Sequence, residues 1–416
     1  MEERIAYVIM TRRVSAMGGA QLFALRRALH LREKGYEVFI VVTRHEVFFP
    51  LENKFQGIPL IHMPQMEHGT AFVTPLRQSK MLAELYHNLG DVKEIRIETH
   101  TLSTIEWGEI FSAQYGAKHL AYPLAEATVS HYALQPGKRI FHEKLERGEF
   151  YGCNSRSLAQ IFRNEEVPSN YVNIGYDENE LSDRSSPEIT YKKKKGDYVI
   201  TTVSRLDKTY IEPLADAVSK LASTYPSHYF VLLIAGGCSD KGRETFLRNN
   251  YNNERYGLPN LDIRYAGYIV KLGRDLFRLT DVFVGMGTAS INAISQGCIT
   301  INIDPRNDMK CASGIFGIDT NNFAYAENGR TYSIYDKLRE VFLFDEDEKN
   351  RVSSLSRELY EDEFEIEKCF ERMDTIIESF PHVHNRRSLR TPLFYRLMAR
   401  TYLLYIRVVR KNKQWF

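Results

Sequence analysis

Cysteine is scarce. The chain of 416 residues holds five, Cys153, Cys238, Cys298, Cys311 and Cys369, odd in number, widely spaced and without a C-x-x-C pair. That argues against a disulfide framework or a thiolate metal cluster and fits a reducing cytosol. A dominant charge is lacking as well: 55 Lys and Arg stand against 53 Asp and Glu, a net charge of +2. The molecule as a whole therefore carries no electrostatic instruction toward nucleic acid or membrane. No apolar run approaches the ~18 residues that span a bilayer, and the first one, Ile5 to Met10 between Arg4 and Arg12, has the length of a strand rather than of a secretory leader. Twelve histidines form no H-x-x-x-H helix, and Pro381-His-Val-His384 is not a built metal site, so no metal is expected. Ser155 lacks a Gly-x-Ser-x-Gly setting. Neither Glu98 with Glu106 nor Asp304 with Asp308 can be brought by sequence to the separation that glycoside hydrolysis needs.

What is present is an ordinary globular composition, 43% hydrophobic and 26% charged, in a chain too long for one comfortable core. A βαβ opening comes first: strand Ile5 to Met10, a loop ending in Gly18-Gly19, a helix from about Ala20 to Lys34, Gly35 as its stop, and strand Glu37 to Val42. Further strands are expected at Ile95 to Glu98, Leu120 to Tyr122, Phe150 to Cys153 and Tyr171 to Ile174. Composition then turns polar from Ser182 to Gly196, through the run Lys192 to Lys195, and a second αβ series follows. The expected organisation is an N-terminal domain over 1–180, a linker over 181–197, a C-terminal domain over 198–375 and a tail over 376–416.

The second series carries the chemistry. Val199 to Lys208, Leu232-Leu-Ile-Ala-Gly-Gly237, Tyr265-Ala-Gly267 and Asp281-Val-Phe-Val-Gly-Met-Gly-Thr288 each run from a buried-strand pattern into Gly or a basic residue and then into helical spacing. Open α/β sheets put ligand-binding loops at such strand ends. Arg205 and Lys208 can clamp phosphoryl oxygens. Gly287, Thr288 and Ala289 open a helix whose unpaired amides favour negative charge.

In the tail, nine Lys or Arg and no Asp or Glu lie between His382 and Phe416. Helical projection puts Arg396, Arg400, Arg407, Arg410 and Lys411 on one face and Phe394, Leu397, Met398, Tyr405, Ile406, Val408 and Val409 on the other. Such a helix suits an anionic membrane surface. No nucleic-acid recognition motif accompanies it.

Taken in order, Met17-Gly-Gly-Ala-Gln21 with Lys34-Gly-Tyr-Glu-Val38, Val203-Ser-Arg-Leu-Asp-Lys208, Leu233-Ile-Ala-Gly-Gly237, Tyr265-Ala-Gly-Tyr268 and Asp281 to Gly297 resemble the retaining nucleotide-sugar glycosyltransferases of the GT-B fold. The resemblance is nearest to enzymes of bacterial capsular or other surface polysaccharide synthesis. It implies an α/β fold of two Rossmann-like domains facing across a cleft, here with a basic amphipathic C-terminal helix. It also implies a nucleotide-sugar donor, with UDP the expected nucleotide, and a glycan or lipid-linked acceptor. No cofactor and no metal are implied, and the placement is cytoplasmic, at the inner face of the membrane through the tail. Arg205 and Lys208 would bind the donor diphosphate and stabilise the departing nucleotide. Gly18, Gly19, Gly236, Gly267, Gly287, Thr288, Ala289 and Asn292 would shape the donor site.

Two departures from the family pattern stand out. The family's Glu-x7-Glu pair is missing, with Asn292 at the second position, where a neutral hydrogen bond contributes about 1 kcal/mol against roughly 1.5 to 3 for a charged one. The family's histidine near the end of a middle strand is also missing. Glu126, in Leu120-Ala-Tyr-Pro-Leu-Ala-Glu126, and His100 are the candidates for handling an acceptor hydroxyl. Two alternatives follow: a nucleotide-sugar 2-epimerase, and a non-catalytic partner or glycan-binding scaffold with a decayed donor pocket.

Overall fold

The computed structural model describes residues 4–14, 19–44, 57–124, 135–184, 186–238, 240–269 and 271–381, with Leu397 and Thr401. Gly18, Glu126 and the tail positions 382–396, 398–400 and 402–416 lie outside them. The described chain forms two compact units, one of residues up to Asn173 with those from Phe370 onward, the other Ile174–Cys369.

The first unit runs β1 (Ile5–Thr11), α1 (Gly19–Glu33), β2 (Glu37–Val42), β3 (Leu60–His62), α2 (Pro75–Leu89), β4 (Glu94–Thr99), α3 (Leu102–Tyr115), β5 (Lys118–Ala121), α4 (Gln135–Glu146) and α5 (Ser157–Phe162). Its sheet has the order β3-β2-β1-β4-β5, and every pairing is parallel. Strands β1, β2, β4 and β5 are buried along nearly their whole length, so β1 and β2 read as unbroken apolar runs, while the edge strand β3 is exposed. Met10, Val41, Ile97, Trp107 and Phe111 share one core on one side of the sheet. Local chemistry sets the helix ends. Thr74 caps α2 by accepting from Arg77 N, with Pro75 in the first turn and Gly90 beyond its last residue. Thr101 and Thr104 close a reciprocal capping box on α3.

The second unit runs β6 (Asp197–Val203), α6 (Ile211–Thr224), β7 (Tyr229–Ala235), α7 (Lys241–Asn250), α8 (Asn253–Tyr256), β8 (Leu261–Gly267), α9 (Arg274–Leu279), β9 (Val282–Gly285), α10 (Thr288–Ser295), β10 (Thr300–Ile303), β11 (Cys311–Ile315), β12 (Tyr332–Ser333), α11 (Ile334–Phe342) and α12 (Glu346–Leu359). The sheet order is β12-β11-β10-β9-β6-β7-β8. Strands β6 to β10 pair in parallel, while the β10–β11 and β11–β12 pairings are antiparallel. Helix α6 buries Ile211, Leu214, Ala215, Val218, Leu221 and Ala222, a stripe at spacings of three and four, against β6, β7 and β8 residues. Burial of each large aliphatic side chain there contributes about 1.5–3 kcal/mol.

The expected strands Phe150 to Cys153 and Tyr171 to Ile174 are reduced to single bridges, Ala121 with Phe150 and Gly152 with Tyr171. The chain turns at once after them, where Asn154 Oδ1 accepts from Arg156 N. The expected linker over 181–197 lies within the second unit. Ser182 exchanges backbone hydrogen bonds with Leu272 and Arg274, and Lys193 pairs with Asp281 at 2.6 Å. Polar composition marks exposure, but it does not say which body a segment bonds to. At the other end α13 (Ile366–Ser379) carries Phe370, Asp374 and Glu378 into the first unit. There Asp374 meets Arg27, and Glu378 meets Arg96.

Candidate functional site

In each sheet the strand order reverses at one place, between β1 and β4 in the first and between β6 and β9 in the second. Loops leaving two such strands diverge to opposite faces and open a crevice at the carboxyl ends.

At the second switch point the loop after β6 carries Arg205 and Lys208, and the loop after β9 carries Gly285 to Thr288. The sequence pattern points to these groups together, and the fold puts them at the ends of neighbouring strands. Backbone bonds hold the loops in place: Ser204 N to Ala235 O, 2.9 Å; Leu206 N to Gly237 O, 3.2 Å; Gly236 N to Gly267 O, 2.7 Å. At Gly236, φ is +149°, and a Cβ would lie 1.7 Å from the Ser204 carbonyl oxygen. Only glycine allows that approach.

Arg205 is half exposed and has Asp207 3.4 Å away. Lys208 is partly buried. Burial first, and then the cation of Arg205, push its ammonium below the usual lysine range. The carboxylate of Asp207 offsets part of that repulsion.

Gly287 precedes α10 with φ 65° and ψ −146°, a conformation close to glycine-only. Its N–H donates to Phe323 O at 2.8 Å, and its carbonyl takes the N–H groups of Ser290 and Ile291. Among the described residues no acceptor is paired with the N–H of Thr288 or Ala289, the open pair at the helix start. Further into α10, Asn292 is buried, and its Oδ1, like Ser290 Oγ, has no partner among the described residues.

The loop after β10 offered no legible site residue in the sequence. Asn307, Asp308 and Met309 all have positive φ, between 50° and 59°, a run of three left-handed non-glycine residues. It is tied to the loop after β6 by Thr209 Oγ1 donating to Asp308 O at 2.5 Å. At its root Asp304 is paired with Arg306. Burial opposes ionisation of Asp304, yet Arg306 and the Ala326 N–H hold its carboxyl below the usual range. Asn and Asp in sequence tolerate this backbone region, and that was the available signal.

At the first switch point, Gly19 begins α1, and His100 follows β4 with 1% of its surface exposed. His100 Nε2 lies 2.7 Å from Glu98 Oε1. The other oxygen of Glu98 accepts from Tyr7 Oη at 2.9 Å and from Arg27 Nε at 3.1 Å. Nothing in the sequence had linked Glu98, Arg27 and Asp374, which are distant along the chain.

Among the described residues no helix is long and apolar enough to cross a membrane, and no group of three or more His, Cys, Asp or Glu is placed to hold a metal ion.

No protein-family model matches the chain, and no curated protein matches it. Solved structures do. A glycosyltransferase from Rickettsia africae superposes with a TM-score of 0.61 at 14% identity, over 91% of this chain and 98% of that one. The HepE protein of Anabaena, solved with UDP-glucose, gives 0.60 at 13% identity, over 90% and 100%. Sucrose-phosphate synthase of Thermosynechococcus elongatus gives 0.61 at 13%, over 90% and 98%. The chain has the GT-B fold of these proteins.

Proposed function

We propose that the protein is a metal-independent, retaining glycosyltransferase that moves a sugar from a nucleoside diphosphate, UDP in the first instance, to a glycan or lipid-linked acceptor. One observation carries the reading: Arg205 and Lys208 lie in the loop after β6, and the open amides of Thr288 and Ala289 start α10 just after β9, at the point where the sheet order reverses. Two cations and a helix start are what a leaving diphosphate needs, and they supply the charge stabilisation that a metal ion provides elsewhere. The UDP in the Anabaena structures supports that nucleotide. Gly236 and Gly267 would let the backbone close on the nucleotide, Gly18 and Gly19 would serve the donor, and His100 and Glu126 would handle the acceptor hydroxyl. The nine cations of 382–416 suit attachment to an anionic membrane surface.

Thermal unfolding against UDP, GDP, ADP, CMP and dTDP, with and without EDTA, tests this. A ligand at about 100 times its Kd stabilises the native state by about 2.7 kcal/mol. One nucleoside diphosphate is expected to raise the melting temperature, insensitively to EDTA. No shift with any of them overturns the reading.

Asn292 favours a second reading, a GT-B partner subunit or glycan-binding scaffold, because a neutral amide stands where the family holds the ribose with a carboxylate. Asn292→Glu separates the two: about tenfold tighter nucleotide binding, the equivalent of ~1.4 kcal/mol, belongs to a working donor site, and no binding in either protein belongs to the scaffold.

A further inference from the structure

Resting on the transferase reading, we infer that Glu98, clamped by Tyr7 and Arg27, is a positioning residue that keeps the His100 imidazole protonated on Nε2 and leaves Nδ1 bare, as the acceptor for a hydroxyl of the bound sugar substrates.

The geometry carries each step. Burial works against a charged Glu98, but Arg27, then His100 and Tyr7, hold its carboxyl below the usual range. It is thus a carboxylate, an acceptor only, and the imidazole nitrogen 2.7 Å from Oε1 must be the one with the proton. Arg27 spans the system. Besides Glu98 it donates to Asp374 Oδ1 at 2.6 Å, and Lys34 reaches Asp374 Oδ2 at 2.9 Å. Arg27 and Lys34 thus face Glu98 and Asp374, His30 Nε2 lies 3.4 Å from Asp374 Oδ2, and the His100 imidazole completes the group as a donor to Glu98. The ring is fixed sterically as well, with its centroid 5.8 Å from that of Phe23 on α1 and 6.3 Å from that of Tyr122. What remains is Nδ1, buried and without a partner among the described residues. A buried acceptor left open in an otherwise satisfied network calls for a ligand donor. His100 lies at the switch point between β1 and β4, where a ligand would enter.

Histidine-selective 15N spectra near neutral pH, assigned with His100→Gln, test the orientation without substrate. The expected spectrum has the proton on Nε2 and a bare Nδ1. A proton on Nδ1, in the other tautomer or in the imidazolium, overturns the proposal. UDP release from UDP-glucose tests the consequence. Glu98→Gln is expected to lower kcat by ~10-fold or more with KM for UDP-glucose unchanged. A folded Glu98→Gln protein with wild-type kcat overturns it. Should that variant fail to fold, Tyr7→Phe decides: it keeps all four charges, removes one hydrogen bond to Glu98, and should lower kcat by ~3-fold, whereas unchanged kcat again overturns the proposal. Failure of the transferase reading is a different result, a UDP-insensitive melting temperature in every protein while the spectrum still shows a bare Nδ1.

Discussion

The hydroxyl of Thr209 donates to the backbone carbonyl of Asp308 across 2.5 Å, linking the residue after Lys208 to the middle of a left-handed turn. Strand β9 stands between the two parent strands, so this bond bridges the loops on either side of the Gly285 to Thr288 turn. Each left-handed non-glycine residue costs of the order of 1 kcal/mol, and the bridge helps to hold three of them. Thr209→Val should cost about 1 kcal/mol, a fall of ~2–4 °C in melting temperature, and raise KM for the donor. Unchanged melting and kinetics would show that the turn holds itself.

Arg205→Ala and Lys208→Ala should each weaken nucleoside-diphosphate binding by ~10–100-fold and remove most transfer without lowering the melting temperature. Because burial and Arg205 lower the pKa of Lys208, phosphate affinity should be lost as pH rises, and sooner than for an ordinary lysine. Titration calorimetry with UDP across the alkaline range reads this. A Lys208→Arg protein should keep its affinity where the parent loses it, because the guanidinium stays charged.

Gly236→Ala should disrupt the site from below. A methyl group 1.7 Å from the Ser204 carbonyl oxygen has nowhere to go unless the loop after β6 moves, and that loop carries Arg205 and Lys208. A loss of about 1–3 kcal/mol together with weakened UDP binding is expected. Gly257→Ala, equally left-handed but with open space at its Cβ, should leave UDP binding intact. Calorimetry of the two proteins side by side makes the comparison.

Glu106 gives a pH test of stability independent of any ligand. Burial lifts its carboxyl to about 7, against the pull of the Thr70 N–H and hydroxyl. The folded-state pKa is raised above the unfolded one, so the folded state binds the extra proton. Stability should therefore fall as pH rises from about 4.5 to about 7 and level off above. Glu106→Gln removes the proton linkage and should be more stable than the parent above neutrality, by roughly 2–3 kcal/mol. Denaturant melts at acidic and alkaline pH measure it. A parallel pH dependence in both proteins would refute the assignment.

The periodicities of Ile5 to Val42 and of Val199 to Gly297 were enough to read two αβ series, because a strand buried on both faces and a helix buried on one stripe leave marks in consecutive residues. Glycine before a helix and basic residues just past a strand were equally legible. That is why Arg205, Lys208 and Gly287 could be named before the fold was known, while the GT-B fold was expected from the family resemblance of all the motifs from Met17 to Gly297 taken in order. Tertiary structure decided what depends on residues distant along the chain. It decided which strands are neighbours, so that the loops of β6 and β9 open at one switch point. It joined the polar stretch before Asp197 to the second unit, and Phe370 and Asp374 to the first. It also drew Glu98, Arg27 and Asp374 into one buried network around His100. Such groups share no local pattern, since each is satisfied by a partner that only the folded chain brings within hydrogen-bond distance, and a buried charge acquires its meaning from that partner alone.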